Sequence, residues 1–160
     1  KAAEQLSCVK AFGKRPTEYK VALDGLSVYV SADNTVKELT VAQIGDIFAG
    51  KITNWKQVGG ADAPIALYSR ENGIGYGGAA YGAGAKHLSV KKDDSSPAVD
   101  PTEENVVAGK YPIWRYLFVY VNPALDKGEV NKYLAWIRSD EGQKLVKDVG
   151  YFPLPKNLRE

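Results

Sequence analysis

Val36-Lys-Glu-Leu-Thr40, Val41-Ala-Gln-Ile-Gly-Asp-Ile-Phe-Ala-Gly50, Lys51-Ile-Thr-Asn-Trp55-Lys-Gln-Val-Gly-Gly60 and Ala63-Pro-Ile-Ala-Leu-Tyr-Ser-Arg70-Glu-Asn72 form the stretch on which the reading of this chain turns. Thr40, with Gln43 three residues on, spells a capping box and so a helix start. Val41, Ile44 and Phe48 then fall on one helical stripe, and Gly50 supplies the stop. Gly59-Gly60 and Pro64 frame a loop, and Ile65–Tyr68 reads as a short apolar strand. At its end Ser69-Arg70 begins the polar chemistry. A helix, a Trp-bearing turn and a strand that ends in a planar cation make an α/β arrangement. Its ligand end is the carboxyl edge of the sheet.

The flanking sequence extends that pattern. Ala2–Phe12 reads as a helix with Leu6 and Val9 on one side and Gly13 as its stop, and Thr17–Val30 as a long strand in which Val21, Leu23, Leu26, Val28 and Val30 recur. Asp24-Gly25 marks a bend or bulge within it. Leu88–Val90 reads as a short strand, and Thr102 as the cap of a helix through Val107. Tyr116–Val121 is the most strongly β segment of the chain. Glu129–Arg138 is a helix with Val130, Tyr133, Leu134 and Ile137 on one face. Asp140 with Gln143 reads as a second capping box, opening a helix to Val149. The long N-terminal strand and Tyr116–Val121, both apolar, are expected to be neighbours in one sheet. The fold class is α/β: one lobe with a central mixed sheet flanked by helices, in a single domain over residues 1–160.

Composition narrows the function. The 160 residues carry 21 Lys plus Arg against 19 Asp plus Glu, a net charge of +2, which is too balanced to point to nucleic acid or an anionic membrane. No apolar run approaches the roughly 20 residues that span a bilayer. Cys8 is the one cysteine, so no intramolecular disulfide forms, and its place on a helix reads as packing. The chain has no Met and begins Lys1-Ala-Ala, so we expect a processed or excised form of an exported protein.

Arg70 is the first candidate for site chemistry. A guanidinium can grip two oxygens of a tetrahedral anion, and glycines after it can turn backbone N–H groups toward the same anion. The competing reading is a surface Arg paired with Glu71. Gly73-x-Gly75-x-x-Gly78 formally fits the dinucleotide fingerprint, with Asp93 and Asp94 farther on. Three polar residues between the strand and the first Gly argue against it. His87 is the single histidine and has no second ligand or nucleophile motif beside it, so it reads as a solvated surface residue. Asp93-Asp94 and Glu103-Glu104 each have a loop or helix-start role ready. Trp114, Tyr116, Phe118 and Tyr120 share one face of a strand and read as packing, since only Lys110 and Arg115 lie near. No enzyme, cofactor or metal is expected.

Residues 36–72 resemble the second-lobe stretch of periplasmic phosphate-binding proteins of ABC importers. The likeness extends to Val21–Val30, to Pro97 and Pro101-Thr-Glu-Glu-Asn105, to Gly109–Val121, and to Trp136–Gln143 with Gly150-Tyr-Phe-Pro-Leu154. The resemblance implies a type 2 periplasmic-binding-protein-like fold and a periplasmic or extracytoplasmic place. The implied partners are inorganic phosphate and an ABC transporter permease. It implies that Arg70 grips the phosphate with Ser69, Asn72 and Gly73 beside it, Asn72 standing where the family has a residue that helps hold the Arg. Two departures matter. In the family Ser-Gly-Thr follows the Arg, whereas Gly73-Ile-Gly-Tyr76 follows here, as though two family segments join at 72/73. The family's N-terminal lobe segment should precede Lys1. A site with so few donors in water is expected to bind weakly, because exposed charge pairs supply only ~0–1 kcal/mol and micromolar binding needs ~8 kcal/mol. The alternative is a self-associating or partner-docking lobe that has lost phosphate, with a homo-oligomer or a complementing chain as its partner.

Overall fold

A computed structural model describes residues 2–68, 72–79 and 84–159, which form two compact units, Asp24–Arg115 and Lys1–Leu23 with Tyr116–Glu160. The long strand β1 (Thr17–Val30) and the return strand β7 (Trp114–Val121) each contribute residues to both units, and β7 pairs with β1, as their shared apolar character implies. The periodicity of β1 differs from simple alternation. Val21, Ala22 and Leu23 are buried in succession, as are Ser27 and Val28. Both faces of β1 are therefore covered there. The strand runs through Asp24-Gly25 without a break, so the bend expected at that point does not end it.

In Asp24–Arg115, the N-terminal helix of the unit is α2 (Val41–Phe48), entered from the short strand β2 (Glu38–Thr40). Thr40 Oγ1 accepts from the Gln43 amide at 3.1 Å while Gln43 Oε1 accepts from the Thr40 amide at 2.9 Å. The expected box therefore forms. The buried stripe is Ile44 and Ile47, not Val41, which is 40% exposed. Val41 is the first helical residue, and its side chain lies over the entering turn rather than the core. A 3₁₀ turn, Trp55–Val58, repeats the device: Asn54 accepts from the Lys56 amide, and Gln57 Oε1 accepts from the Asn54 amide at 2.9 Å. Gly59 closes the turn at φ +84°.

The sheet of this unit runs β3 (Ala66–Leu67), β4 (Gly73–Gly78), β1, β5 (Lys86–His87). β3 is parallel to β4, and β4 and β5 are antiparallel to β1, with Val30 opposite Ile74 and Tyr29 opposite His87. β6 (Ser89–Lys91) pairs in parallel with β2, and α3 (Glu103–Val107) is capped by Thr102. Trp55, Ile74, Leu39, Ile47, Val28, Leu88, Val90, Val106 and Tyr111 are all at most 2% exposed and make the core. Tyr111 donates its hydroxyl to Leu26 O at 2.8 Å, so burial of the ring leaves no polar atom unpaired. The glycine-rich run 73–78 is thus a strand.

In the other unit, α4 (Glu129–Arg138) and α5 (Asp140–Asp148) follow β7. The expected Asp140–Gln143 box does not form. Ser139 is the cap, accepting from the Gly142 amide at 3.3 Å, so Gln143 lies one residue too far on to reach back. Its side chain is instead buried: Nε2 donates to Val21 O and Ile137 O at 2.9 and 2.8 Å, and Oε1 accepts from the Leu154 amide at 2.6 Å. Val21, Leu23, Val121, Leu134, Val146 and Leu154 make up the buried apolar set of this unit. The tail closes on β1 through paired hydrogen bonds between Leu23 and Phe152. Helix α1 (Ala2–Phe12) has no buried residue, so its expected apolar side of Leu6 and Val9 is not a core face; a Gln5–Glu18 hydrogen bond ties it to β1.

Candidate functional site

The candidate site lies where β3 leads into β4. Two of its four sequence-predicted residues, Ser69 and Arg70, lie outside the described residues. The other two are placed. Asn72 stands at φ +48° before β4, and Gly73 opens that strand, buried. The Asn72 carbonyl accepts from the Trp55 indole at 3.1 Å and from the Ala66 amide at 3.0 Å, while the Tyr68 amide donates to Ile74 O at 2.8 Å. These bonds fix Tyr68 on one side of the connection and Asn72 on the other, the latter through a tryptophan that is 2% exposed.

Among the described residues, Tyr68 is the other non-glycine residue at positive φ, +59°. Asn tolerates that region because its short side chain bonds locally, but a bulky aromatic there is an outlier. Its ring is 66% exposed and rests on two others, Phe48 at 5.8 Å and Tyr76 at 5.8 Å between centroids, with Phe48 and Tyr76 edge-to-face at 5.1 Å. A hydrogen bond to Tyr76 raises the Tyr68 hydroxyl above its ordinary pKa.

Two hollows adjoin Tyr68, Asn72 and Gly73. One, of ≈480 Å³, is lined by Tyr29, Ser31, Tyr68, Gly73, Gly75 and Gly84 among others. The other, of ≈80 Å³, is lined by Ser31, Asp33, Asn34, Thr35, Trp55, Ala61 and Asn72. Gly73 and Asn72 therefore face different spaces. Sequence reasoning missed Tyr68, Ser31 and Trp55 as neighbours of the site. A tyrosine at the end of a short strand is ordinary in sequence, so nothing local marked Tyr68. Lys86 reaches the same region, but its ammonium already donates to Asn34 O at 2.6 Å and Val36 O at 2.8 Å.

Other sequence candidates take structural roles. Gly73, Gly75 and Gly78 lie inside one strand paired with β1 and β3, which is not the loop-to-helix geometry a dinucleotide phosphate needs. His87 is exposed, with Nδ1 2.8 Å from the buried Ser27 hydroxyl and its ring edge-on to Tyr29. Arg115 reaches Asp24 through Nε and Nη2, both at 3.1 Å, tying the return strand to a carboxylate. Tyr116, Phe118 and Tyr120 form the expected ladder on β7, and the Lys20 ammonium sits 4.2 Å from the Tyr116 ring centre. Among the described residues no group of three or more His, Cys, Asp or Glu side chains could hold a metal ion. None of the described helices is long and apolar enough to cross a membrane.

This pair of strands at the edge of a mixed sheet, with the capped helix and tryptophan turn before it, is the architecture of a type 2 periplasmic-binding-protein-like α/β protein. Residues 1–77 match the family model described as a PBP superfamily domain. Beyond that span the chain is similar in sequence to phosphate-binding proteins. It is 29% identical to the phosphate-binding protein PstS of Pseudomonas aeruginosa, over 93% of this chain and 64% of that protein. It is 30% identical to PstS of Bacillus subtilis, over 88% and 59%. The chain thus spans about 60% of the length of these curated relatives. An ABC-type phosphate transport receptor from Vibrio cholerae shares the fold at a TM-score of 0.70 and 22% identity, covering 86% of this chain and 72% of that one.

Proposed function

We propose that this chain is an oxyanion-binding module of the phosphate-import type, with Arg70 as its principal anion contact and Ser69, Asn72 and Gly73 beside it. The observation that carries the reading is the extent of the likeness to PstS proteins, which runs through 93% of the chain. The bonds that fix Tyr68 and Asn72 add support, since a cation delivered to a sheet edge binds best from a rigid frame. The proposed place is periplasmic or extracytoplasmic, and the proposed partner an ABC transporter permease. The proposed unit of function is the whole of residues 1–160, with family segments joined at 72/73. The matched span supports such a junction: 206 aligned positions exceed the 160 residues present, so the relative carries segments that have no counterpart here.

With so few donors, phosphate affinity is expected near millimolar, about 4 kcal/mol. An NMR shift titration with phosphate, with sulfate as competitor and Arg70→Ala as control, tests this. Saturable, phosphate-selective shifts around Asn72 and Gly73 that vanish in Arg70→Ala are expected. Shifts unchanged in the mutant would remove Arg70 from the site. No response at tens of millimolar phosphate would favour the second reading, a partner-docking lobe, for which the exposed rings of Tyr68 and Tyr76 speak.

A further inference from the structure

Tyr68 and Tyr76 are both surface phenols, 66% and 49% exposed, with ring centroids 5.8 Å apart and planes at 63°. We propose that this pair is a site of oxidative cross-linking, joined ring to ring by a one-electron oxidant of the haem-peroxidase and hydrogen-peroxide class. The inference is independent of the anion reading above.

Three observations carry it. First, the backbone brings the two rings together. Leu67 lies opposite Ile74, so regular pleating would set Tyr68 level with Gly75. The left-handed backbone at Tyr68, φ +59°, goes instead with a ring turned to Tyr76. Phe48 packs against both, with centroids 5.8 Å from Tyr68 and 5.1 Å from Tyr76. Second, the two hydroxyls approach closely enough that Tyr76 raises the Tyr68 phenol above its ordinary pKa. The carbons that couple are ortho to the hydroxyls, so they flank that meeting point. Third, sulfur competes little for the oxidant: the chain has no Met and one Cys against ten Tyr. The step balances. The oxidant takes one electron from each phenol as its hydroxyl proton leaves, and the two radicals couple through one ortho carbon each. Each of those carbons then gives up its hydrogen as a proton, and each oxygen regains one. In sum two electrons and two protons pass to hydrogen peroxide, which leaves as two waters. The new bond ties the end of β3 to β4.

The test treats the dilute 160-residue chain with a haem peroxidase and limiting hydrogen peroxide, isolates the monomer by size exclusion, and reads the blue fluorescence of coupled tyrosine. Trypsin then separates Tyr68, in residues 57–70, from Tyr76, in residues 71–86, and mass spectrometry seeks the two peptides joined with the loss of two hydrogens. A fluorescent monomer is expected, with the fluorescence lost in Tyr68→Phe and in Tyr76→Phe. Phenylalanine keeps each ring and its packing on Phe48, so these variants remove the phenol alone. Tyr133 is 56% exposed but stacks on Trp136, so Tyr133→Phe should leave the signal unchanged and separate proximity from exposure. Tyr81→Phe, which removes the other tyrosine of residues 71–86, should also leave it unchanged. Fluorescence that is absent, confined to dimers, lost in Tyr81→Phe, or retained in either Tyr68→Phe or Tyr76→Phe overturns the proposal.

Discussion

In residues 40–60 the polar groups at each turn find their partners within a few positions. Thr40 and Gln43 bond each other, Asn54 and Gln57 do the same, and Gly50 and Gly59 take up the positive φ that ends each turn. Among the described residues of 66–79 the opposite holds. Asn72 and Tyr68, not glycines, carry the positive φ, while the glycines lie in a strand that could use side chains. What fixes this second region comes from afar: the Trp55 indole on Asn72 O, and Phe48 against Tyr68. The first region is built to be stable on its own terms. The second is held in a conformation that its local sequence would not choose. That is the pattern of a site whose geometry is imposed by a scaffold.

The contrast can be broken at the point that joins the regions. Trp55→Ala removes a fully buried ring and the bond to Asn72, and should cost about 3–5 kcal/mol in urea unfolding. Trp55→Phe would separate the two roles, keeping most packing and losing the bond. Gly60→Ala tests the same joint more gently. A Cβ there meets Val36 Cγ2 at 2.8 Å and Trp55 backbone and side-chain atoms at 3.0–3.1 Å, so about 1–3 kcal/mol should be lost. Thr40→Ala removes one half of a local capping pair. It should cost about 1 kcal/mol and leave anion binding alone.

Tyr68→Gly sharpens the comparison from the other side. Relief of the backbone penalty, about 1–2 kcal/mol, should offset the lost ring contacts and the freer unfolded chain, so that the urea midpoint hardly moves. A large loss would mean that Tyr68 is there for packing. The smallest effect concerns the loop after β6. The Ser95 and Ser96 hydroxyls bond Asp93 and lower its carboxyl to about 2. A depressed carboxyl stabilises the fold above its unfolded value near 4 and loses that contribution as pH falls through about 2. NMR titration of the Asp93 carboxyl should therefore find its midpoint at about 2, rising toward its unfolded value in Ser95→Ala/Ser96→Ala.

Where the sequence misled, the physical reason is visible. Asp140 and Gln143 have capping-box spacing, yet Ser139 offers a better-placed acceptor one residue earlier. Gln143 then satisfies three backbone groups, on Val21, Ile137 and Leu154, that lie far apart in sequence. Val41 fits the helical period but falls on the first turn, outside the buried stripe. Ser27 and Val28 are buried in succession because the Ser27 hydroxyl has a partner in His87, far along the chain. In each case the local pattern admitted two outcomes, and a distant group or a better-placed neighbour selected one.

The sequence by itself determined the α/β class, the helices from Thr40 and from Glu129, the pairing of the two long apolar strands, and the anion chemistry to be sought at Arg70. These follow from periodicity, caps and residue type, all of which act over a few neighbouring positions. The tertiary structure alone decided that Trp55 secures Asn72 and that Tyr68 stands exposed against Phe48 and Tyr76. Hydrogen bonds and ring contacts between segments remote in the chain set those features, and no local pattern encodes which remote partner arrives.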